Sequence, residues 1–221
     1  MSRVEVEKKV LNENQILAEQ LRERYRQRGL LCINLISAPG SGKTLLLEKT
    51  LERMDKRVRV AVLTGDLQTE NDARRLAKFG FQVKQIVTGG TCHLDARMVE
   101  KHVADWDLEH LDLLVVENVG NLVCPSSYDL GEDAKIVLLS TTEGEDKPLK
   151  YPSIFFKSEL MLLTKIDLLP YLSFKADLAK ENARRVHPQM EILEVSSTSG
   201  DGLDAWMNWL EKRRKAKSAQ G

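Results

Sequence analysis

Ser37-Ala-Pro-Gly-Ser-Gly-Lys-Thr44 lies between an apolar run, Leu30 to Ile36, and a helix-like run, Leu45 to Met54. A glycine-rich turn leaving a strand and opening a helix is a phosphate-binding loop. The glycines let the backbone curl until successive N–H groups point at one anion, and the helix that follows adds the positive end of its dipole. Lys43 is expected to reach the terminal phosphates, and the Thr44 hydroxyl to ligate the Mg²⁺ that bridges them. The pattern departs from G-x-x-x-x-G-K-[ST] in one place: Ser37 stands where the first glycine is usual, and Pro39 inside the loop has no N–H to donate. The cradle is therefore expected to rest on Gly40, Ser41, Gly42 and Lys43.

Working outward, short β-branched or leucine-rich runs recur at Leu30 to Ser37, Val58 to Thr64, Gln82 to Thr88, Leu113 to Asn118, Lys135 to Ser140, Leu160 to Thr164 and Glu191 to Val195. Continuous apolar runs predict strands buried on both faces, and helix-like segments between most of them predict right-handed crossovers. The fold class is thus α/β: a single P-loop NTPase domain with a mainly parallel sheet flanked by helices, its function at the carboxyl ends of the strands. Before the first strand, Val10, Leu17, Leu21 and Tyr25 predict an amphipathic N-terminal helix over residues 4–28, stopped by Gly29. The last helix, Leu203 to Lys217, carries Leu203, Trp206, Trp209 and Leu210 on one face and ends in Lys212, Arg213, Arg214, Lys215 and Lys217. That basic end suits the helix dipole and is expected to fray, although it is also the one place where a nucleic-acid tail could be sought. The expected division is 1–29 as the N-terminal helix, 30–217 as the nucleotide domain and 218–221 as a flexible tail.

A chain of 221 residues holds one such domain with a full core. Lys plus Arg and Asp plus Glu number 33 each, so no global field favours nucleic acid or an acidic membrane. The most apolar region, Leu160 to Leu172, is interrupted by Lys165, Asp167 and Pro170, which argues against a membrane span. Three cysteines without pairing spacing, and an N-terminus with no apolar signal segment, lead to the expectation of a cytoplasmic protein.

Thr164-Lys165-Ile166-Asp167, at the end of the sixth run, resembles the [N/T]-K-x-D element of GTP-binding proteins. A carboxylate at Asp167 can accept from both N1–H and the 2-amino group of guanine, whereas adenine would leave it unpaired. Lys165 would lie along the base, and Thr164 replaces the commoner asparagine. Ser196-Ser197-Thr198 follows the last strand where a second base-contacting loop is expected, its backbone N–H aimed at guanine O6. An ATP-dependent kinase is disfavoured on the same ground. The metal and water side of the site should come from acids ending strands. Glu117 with Gly120 reads as E-x-x-G, the carboxylate ordering Mg²⁺ and the Gly120 N–H meeting the γ-phosphate. Asp66 and Asp72 flank the loop after the second strand; one could hold Mg²⁺ and the other orient the attacking water, although Asp72 could equally just start a helix.

Cys92 and His93 are adjacent just past the third strand, and Cys124 lies four residues beyond Gly120. Thiolate and imidazole suit Zn²⁺ or Ni²⁺, with water, another side chain or a second subunit completing the shell. The alternative is two small buried hydrophobes and a helix-start histidine; Cys32, inside the first strand, is assigned to core packing. If all three are ligands, hydrolysis that frees Gly120 would shift Cys124, and nucleotide and metal affinity would be linked reciprocally.

Three strings carry a family resemblance: Thr88-Gly-Gly-Thr-Cys-His-Leu-Asp-Ala96, Glu117-Asn-Val-Gly-Asn-Leu-Val-Cys-Pro125 and Thr142-Glu-Gly-Glu-Asp-Lys147. From about Leu30 to Arg213 the chain resembles the HypB family of hydrogenase nickel-incorporation GTPases, relatives of the urease accessory GTPases. The resemblance implies a slow GTPase metallochaperone with GTP/GDP and Mg²⁺, delivering nickel to the large subunit of [NiFe] hydrogenase with a partner nickel-binding maturation protein. It further implies a GTP-promoted homodimer with Cys92, His93 and Cys124 at its interface. The N-terminal cysteine motif and the histidine-rich stretch of some members are not present in this sequence. Two other readings stay open: a urease-type accessory GTPase, and a nucleotide-gated metal-binding module whose hydrolysis is incidental.

Overall fold

A computed structural model describes residues 3–66 and 71–219. Seven strands form one sheet: β1 (Leu31–Ser37), β2 (Val60–Asp66), β3 (Gln82–Val87), β4 (Leu113–Glu117), β5 (Ala134–Ser140), β6 (Leu160–Thr164) and β7 (Glu191–Val195). Their order is β3-β2-β4-β1-β5-β6-β7 and every adjacent pair is parallel, so the sheet is wholly rather than mainly parallel. The helices are α1 (Arg3–Arg26), α2 (Lys43–Arg53), α3 (Asn71–Ala77), α4 (Ala96–Val103), α5 (Lys147–Lys150), α6 (Pro152–Lys157), α7 (Ala176–Val186) and α8 (Leu203–Ser218).

β1 is the central strand, Ile33 lying against Val115 of β4 on one side and Ala134 of β5 on the other. Its alternation divides the core. Leu31, Ile33 and Leu35 pack with Leu46, Leu47 and Leu51 of α2 and with Trp206, Trp209 and Leu210 of α8. Cys32 faces Leu21 and Tyr25 of α1 and Val99 of α4, which places it in the core as expected. Ile36 faces Phe155 of α6 and Ala183 of α7. Each large side chain buried this way contributes about 1.5–3 kcal/mol, and together they fix the level at which the strand ends open the loops. Trp206 Nε1 also donates to Thr50 Oγ1 at 2.8 Å, locking α8 to the phosphate-loop helix.

Three details differ from the sequence expectations. β2 begins two residues late, because Val58 N donates to Asp55 O and Arg57 N to the Asp55 carboxylate, a turn that delays the extended run. In α1 the buried stripe is Asn14, Ala18, Leu21 and Tyr25; Val10 is exposed and Leu17 only partly buried. α8 does not fray at its basic end, since Lys217 is buried in an ion pair with Asp133, and Arg213 pairs with Glu159. Gly29 explains the join: it has φ +60°, and a Cβ there would lie 3.2 Å from Ser218 at the end of α8. Of the expected tail 218–221, Ser218 is helical, and residues 220–221 lie outside the described residues.

Candidate functional site

The loop after β1 and the ends of β2 and β4 enclose a cleft of about 400 Å³ lined by Gly40, Ser41, Gly42, Lys43, Thr44, Asp66, Asp72, Glu117 and Gly120, among others. Gly40 and Gly42 take φ +75° and +95°, the left-handed backbone that glycine tolerates. Gly42 starts α2 with no side-chain cap, leaving first-turn N–H groups to an anion. Lys43 is buried and donates to Ser37 Oγ at 2.7 Å, so Ser37, in place of the usual glycine, holds the ammonium against the phosphate loop. Burial pulls its pKa down, against the opposing pull of Glu117, Asp72 and Glu143.

Thr44 Oγ1 donates to Glu117 Oε1 at 2.8 Å, while Oε2 is buried without a hydrogen-bond partner among the described residues. Burial pushes the Glu117 pKa up to about 7, although Lys43 and the Thr44 hydrogen bond oppose it. A hydroxyl beside a carboxylate with an oxygen to spare is the hard donor set that fits Mg²⁺. Asp66, at the end of β2, and Asp72, in the first turn of α3, both line the cleft; residues 67–70 between them lie outside the described residues. Two lining or supporting groups were missed from sequence. Arg75 is in the cleft, held bidentately by Glu48 at 3.0 and 2.8 Å, and no local sequence pattern marks it. Glu143, inside the third family string, accepts from Ser41 Oγ at 2.8 Å and Ser140 N at 3.1 Å, bracing the phosphate loop.

A second pocket of about 390 Å³ adjoins the first, lined by Thr164, Lys165, Asp167, Ser197 and Thr198 with Gly42 and Leu45. Thr164 Oγ1 donates to Ser41 O at 2.8 Å, tying the pocket to the phosphate loop. Lys165 is the one non-glycine with positive φ among the described residues, at +60°, and Thr141 Oγ1 holds its carbonyl at 2.8 Å. Ser196 departs from expectation: its N–H donates to Asp201 O at 2.8 Å and is not turned to a base. Its hydroxyl instead donates to Asp167 Oδ1 at 2.6 Å and accepts from Thr198 N and Ser199 N. Ser196 orients the acidic residue, and Ser197 and Thr198 form the wall.

Cys92, His93 and Cys124 converge, with all ligand atoms within 4.8 Å of one another. The Cys92 thiol donates to Cys124 Sγ at 2.8 Å, so two cysteines whose sequence spacing suggested no pairing are neighbours in space. All three are half-buried rather than core residues, and His93 stacks on Tyr128 with ring centroids 3.8 Å apart. Burial lowers the His93 pKa, favouring the neutral imidazole that binds metals. The hydrogen bond from Cys92, then burial, raises the Cys124 thiol, which Asn121 opposes. Two sulfurs and an imidazole fit Zn²⁺ or Ni²⁺ and leave a position open. Asn14 of α1 supports this corner: Oδ1 accepts from Ala96 N at 2.8 Å and Nδ2 donates to Asp129 O at 2.9 Å. A buried asparagine in a charged helix gave no sequence signal for that role.

No helix among the described residues is long and apolar enough to cross a membrane. Residues 31–194 match the family described as CobW/HypB/UreG, nucleotide-binding domain. The hydrogenase maturation factor HypB of Escherichia coli K12 is 52% identical over 213 residues, covering 96% of this chain and 73% of that protein. The hydrogenase/urease maturation factor HypB of Helicobacter pylori 26695 is 42% identical, covering 96% of this chain and 89% of its own. A crystal structure of Helicobacter pylori HypB in complex with nickel superposes with a TM-score of 0.87 at 41% identity, covering 93% of this chain and 97% of that one. At this identity over nearly the whole length, the chain belongs to the HypB hydrogenase maturation factors, within the CobW/HypB/UreG family of nucleotide-binding domains.

Proposed function

We propose that the protein is a cytoplasmic, GTP-promoted homodimeric GTPase that holds Ni²⁺ at Cys92, His93 and Cys124, where Zn²⁺ could also bind. It would pass nickel to the large subunit of [NiFe] hydrogenase with a partner nickel-binding maturation protein. The working unit is residues 30–217, braced by the N-terminal helix. Asp167, with Thr164 and Lys165 beside it, selects guanine. The N–H groups of Gly40 to Lys43 and the Lys43 ammonium hold the phosphates, and one of Asp66 and Asp72 orients the attacking water. Thr44 and Glu117, with Asp66 a further candidate ligand, would hold Mg²⁺, which would supply charge neutralisation on the phosphates.

The observation that carries this reading is continuity: Gly120, in the phosphate cleft, and Cys124, in the metal cluster, are four residues apart on one loop. Loss of the γ-phosphate from Gly120 would displace Cys124 and loosen the metal. The test is Ni²⁺ and Zn²⁺ affinity with GDP or a non-hydrolysable GTP analogue bound, alongside molecular mass, for the wild type and Cys124→Ala. Tighter metal binding and a dimer with the analogue support the reading. Equal wild-type affinities in both states would leave only a metal-binding module with incidental hydrolysis. The Helicobacter pylori relative is named for urease as well as hydrogenase, so a pull-down against both target proteins separates hydrogenase from urease service.

A further inference from the structure

The three metal ligands come from two loops, and only the one ending in Cys124 contains Gly120. The other, carrying Cys92 and His93, leaves β3, a strand that contributes no described residue to the phosphate cleft. Two asparagines flanking Gly120 join them. Asn118, buried, accepts at Oδ1 from Leu94 N at 3.2 Å and Val119 N at 3.0 Å, and donates from Nδ2 to Asn34 Oδ1 at 3.3 Å. Asn121 donates from Nδ2 to Cys92 O at 3.2 Å while Oδ1 accepts from Val123 N at 2.8 Å. His93 is therefore bracketed: the residue before it is gripped by Asn121 and the residue after it by Asn118.

The neighbours leave little slack. Leu94 is fully buried and so close to Gly65 that a Cβ there would lie 2.9 Å from its side chain. Gly120 rests on the phosphate loop, where a Cβ would meet Pro39 at 3.1 Å. Close-packed contacts of this kind move together or rearrange discretely; they do not stretch. A displacement at Gly120 is thus delivered through two side-chain amides to the backbone on either side of His93.

We infer that Asn118 and Asn121 are positioning residues that make all three ligands, and not Cys124 alone, answer to the bound nucleotide. The inference rests on the proposed coupling of nucleotide state to nickel affinity. Neither asparagine supplies a ligand atom to that triad, so removing either should leave a nickel site whose affinity no longer follows the nucleotide.

The experiment measures the ratio of Ni²⁺ dissociation constants with GDP and with a non-hydrolysable GTP analogue, in the full-length wild type, Asn118→Ala and Asn121→Ala. Sulfur-to-nickel charge-transfer absorption confirms that the triad still binds. Asn121→Ala guards against misfolding, since its side chain is only partly buried. A wild-type ratio of about fivefold or more, the usual scale of site-to-site coupling, should fall to within about twofold of unity in both variants with the absorption band retained. Both variants keeping the wild-type ratio would overturn the inference and leave the transfer reading intact. A wild-type ratio of one would overturn the reading, and the inference with it.

Discussion

Asp167→Asn should invert the base preference through a constraint that Ser196 imposes. Ser196 Oγ already accepts from Thr198 N at 3.2 Å and Ser199 N at 3.0 Å, so its two lone pairs are taken and its hydrogen must go to an acceptor. In the wild type that acceptor is Asp167 Oδ1 at 2.6 Å. In the variant the amide oxygen must take its place, which turns the amide NH₂ toward the base. Guanine offers N1–H and a 2-amino group there, so donors would face donors. Two hydrogen bonds to a charged acceptor are lost at about 1.5–3 kcal/mol each, or roughly 10²- to 10⁴-fold in affinity. Xanthine, with a carbonyl at position 2, accepts the new N–H and should bind better than guanine. Competition of GDP, XDP and ADP against a fluorescent nucleotide reads this directly, with thermal melting as the check on folding. GDP affinity within about threefold of wild type would show that Asp167 does not face the base, because a single hydrogen bond to a charged acceptor, at about 1.5 kcal/mol or more, already exceeds that margin.

Lys43→Ala should abolish GTP turnover, read as phosphate release under saturating nucleotide, because no other described lysine lines the phosphate cleft. Glu117→Gln should change how the nucleotide-free, Mg²⁺-free protein melts with pH. Glu117 has a folded pKa raised from 4.5 to about 7, so its protonated form is favoured in the fold, and that stability is lost as pH rises through 7. The wild type should lose up to about 3 kcal/mol between pH 5 and 8 from this group, and the glutamine variant should show a flatter profile; superimposable profiles would contradict the effect assigned to burial of this carboxyl group. Trp206→Phe removes the indole N–H that donates to Thr50 Oγ1, which keeps its own bond to Leu46 O, and part of a fully buried ring, and should cost about 1–3 kcal/mol in denaturant unfolding.

The phosphate loop, the parallel sheet and the ends of most strands were legible because each is written locally: glycines and a lysine at fixed spacing, and apolar runs too short for helices. Cys92, His93 and Cys124 were legible as candidate metal ligands from their residue types and their places after β3 and Gly120. What sequence could not supply was the direction of individual polar groups. Ser196 sits at its expected position, yet its N–H belongs to Asp201 and its hydroxyl to Asp167. Arg75 lines the cleft only because α3 presents that face, and Lys217 is buried only because Asp133 lies under the end of α8. Such pairings join residues far apart in the chain, so no local pattern encodes them.

Asn14 gives the N-terminal helix a meaning that its charged surface conceals. One end of its amide fastens the chain two residues beyond Leu94, and the other fastens it five residues beyond Cys124. The helix is thus a splint set across two separate strips of backbone. A shortened chain beginning past that residue would keep every described residue that lines the phosphate cleft, yet the corner where Cys92, His93 and Cys124 meet would have lost a fixture that spans both strips.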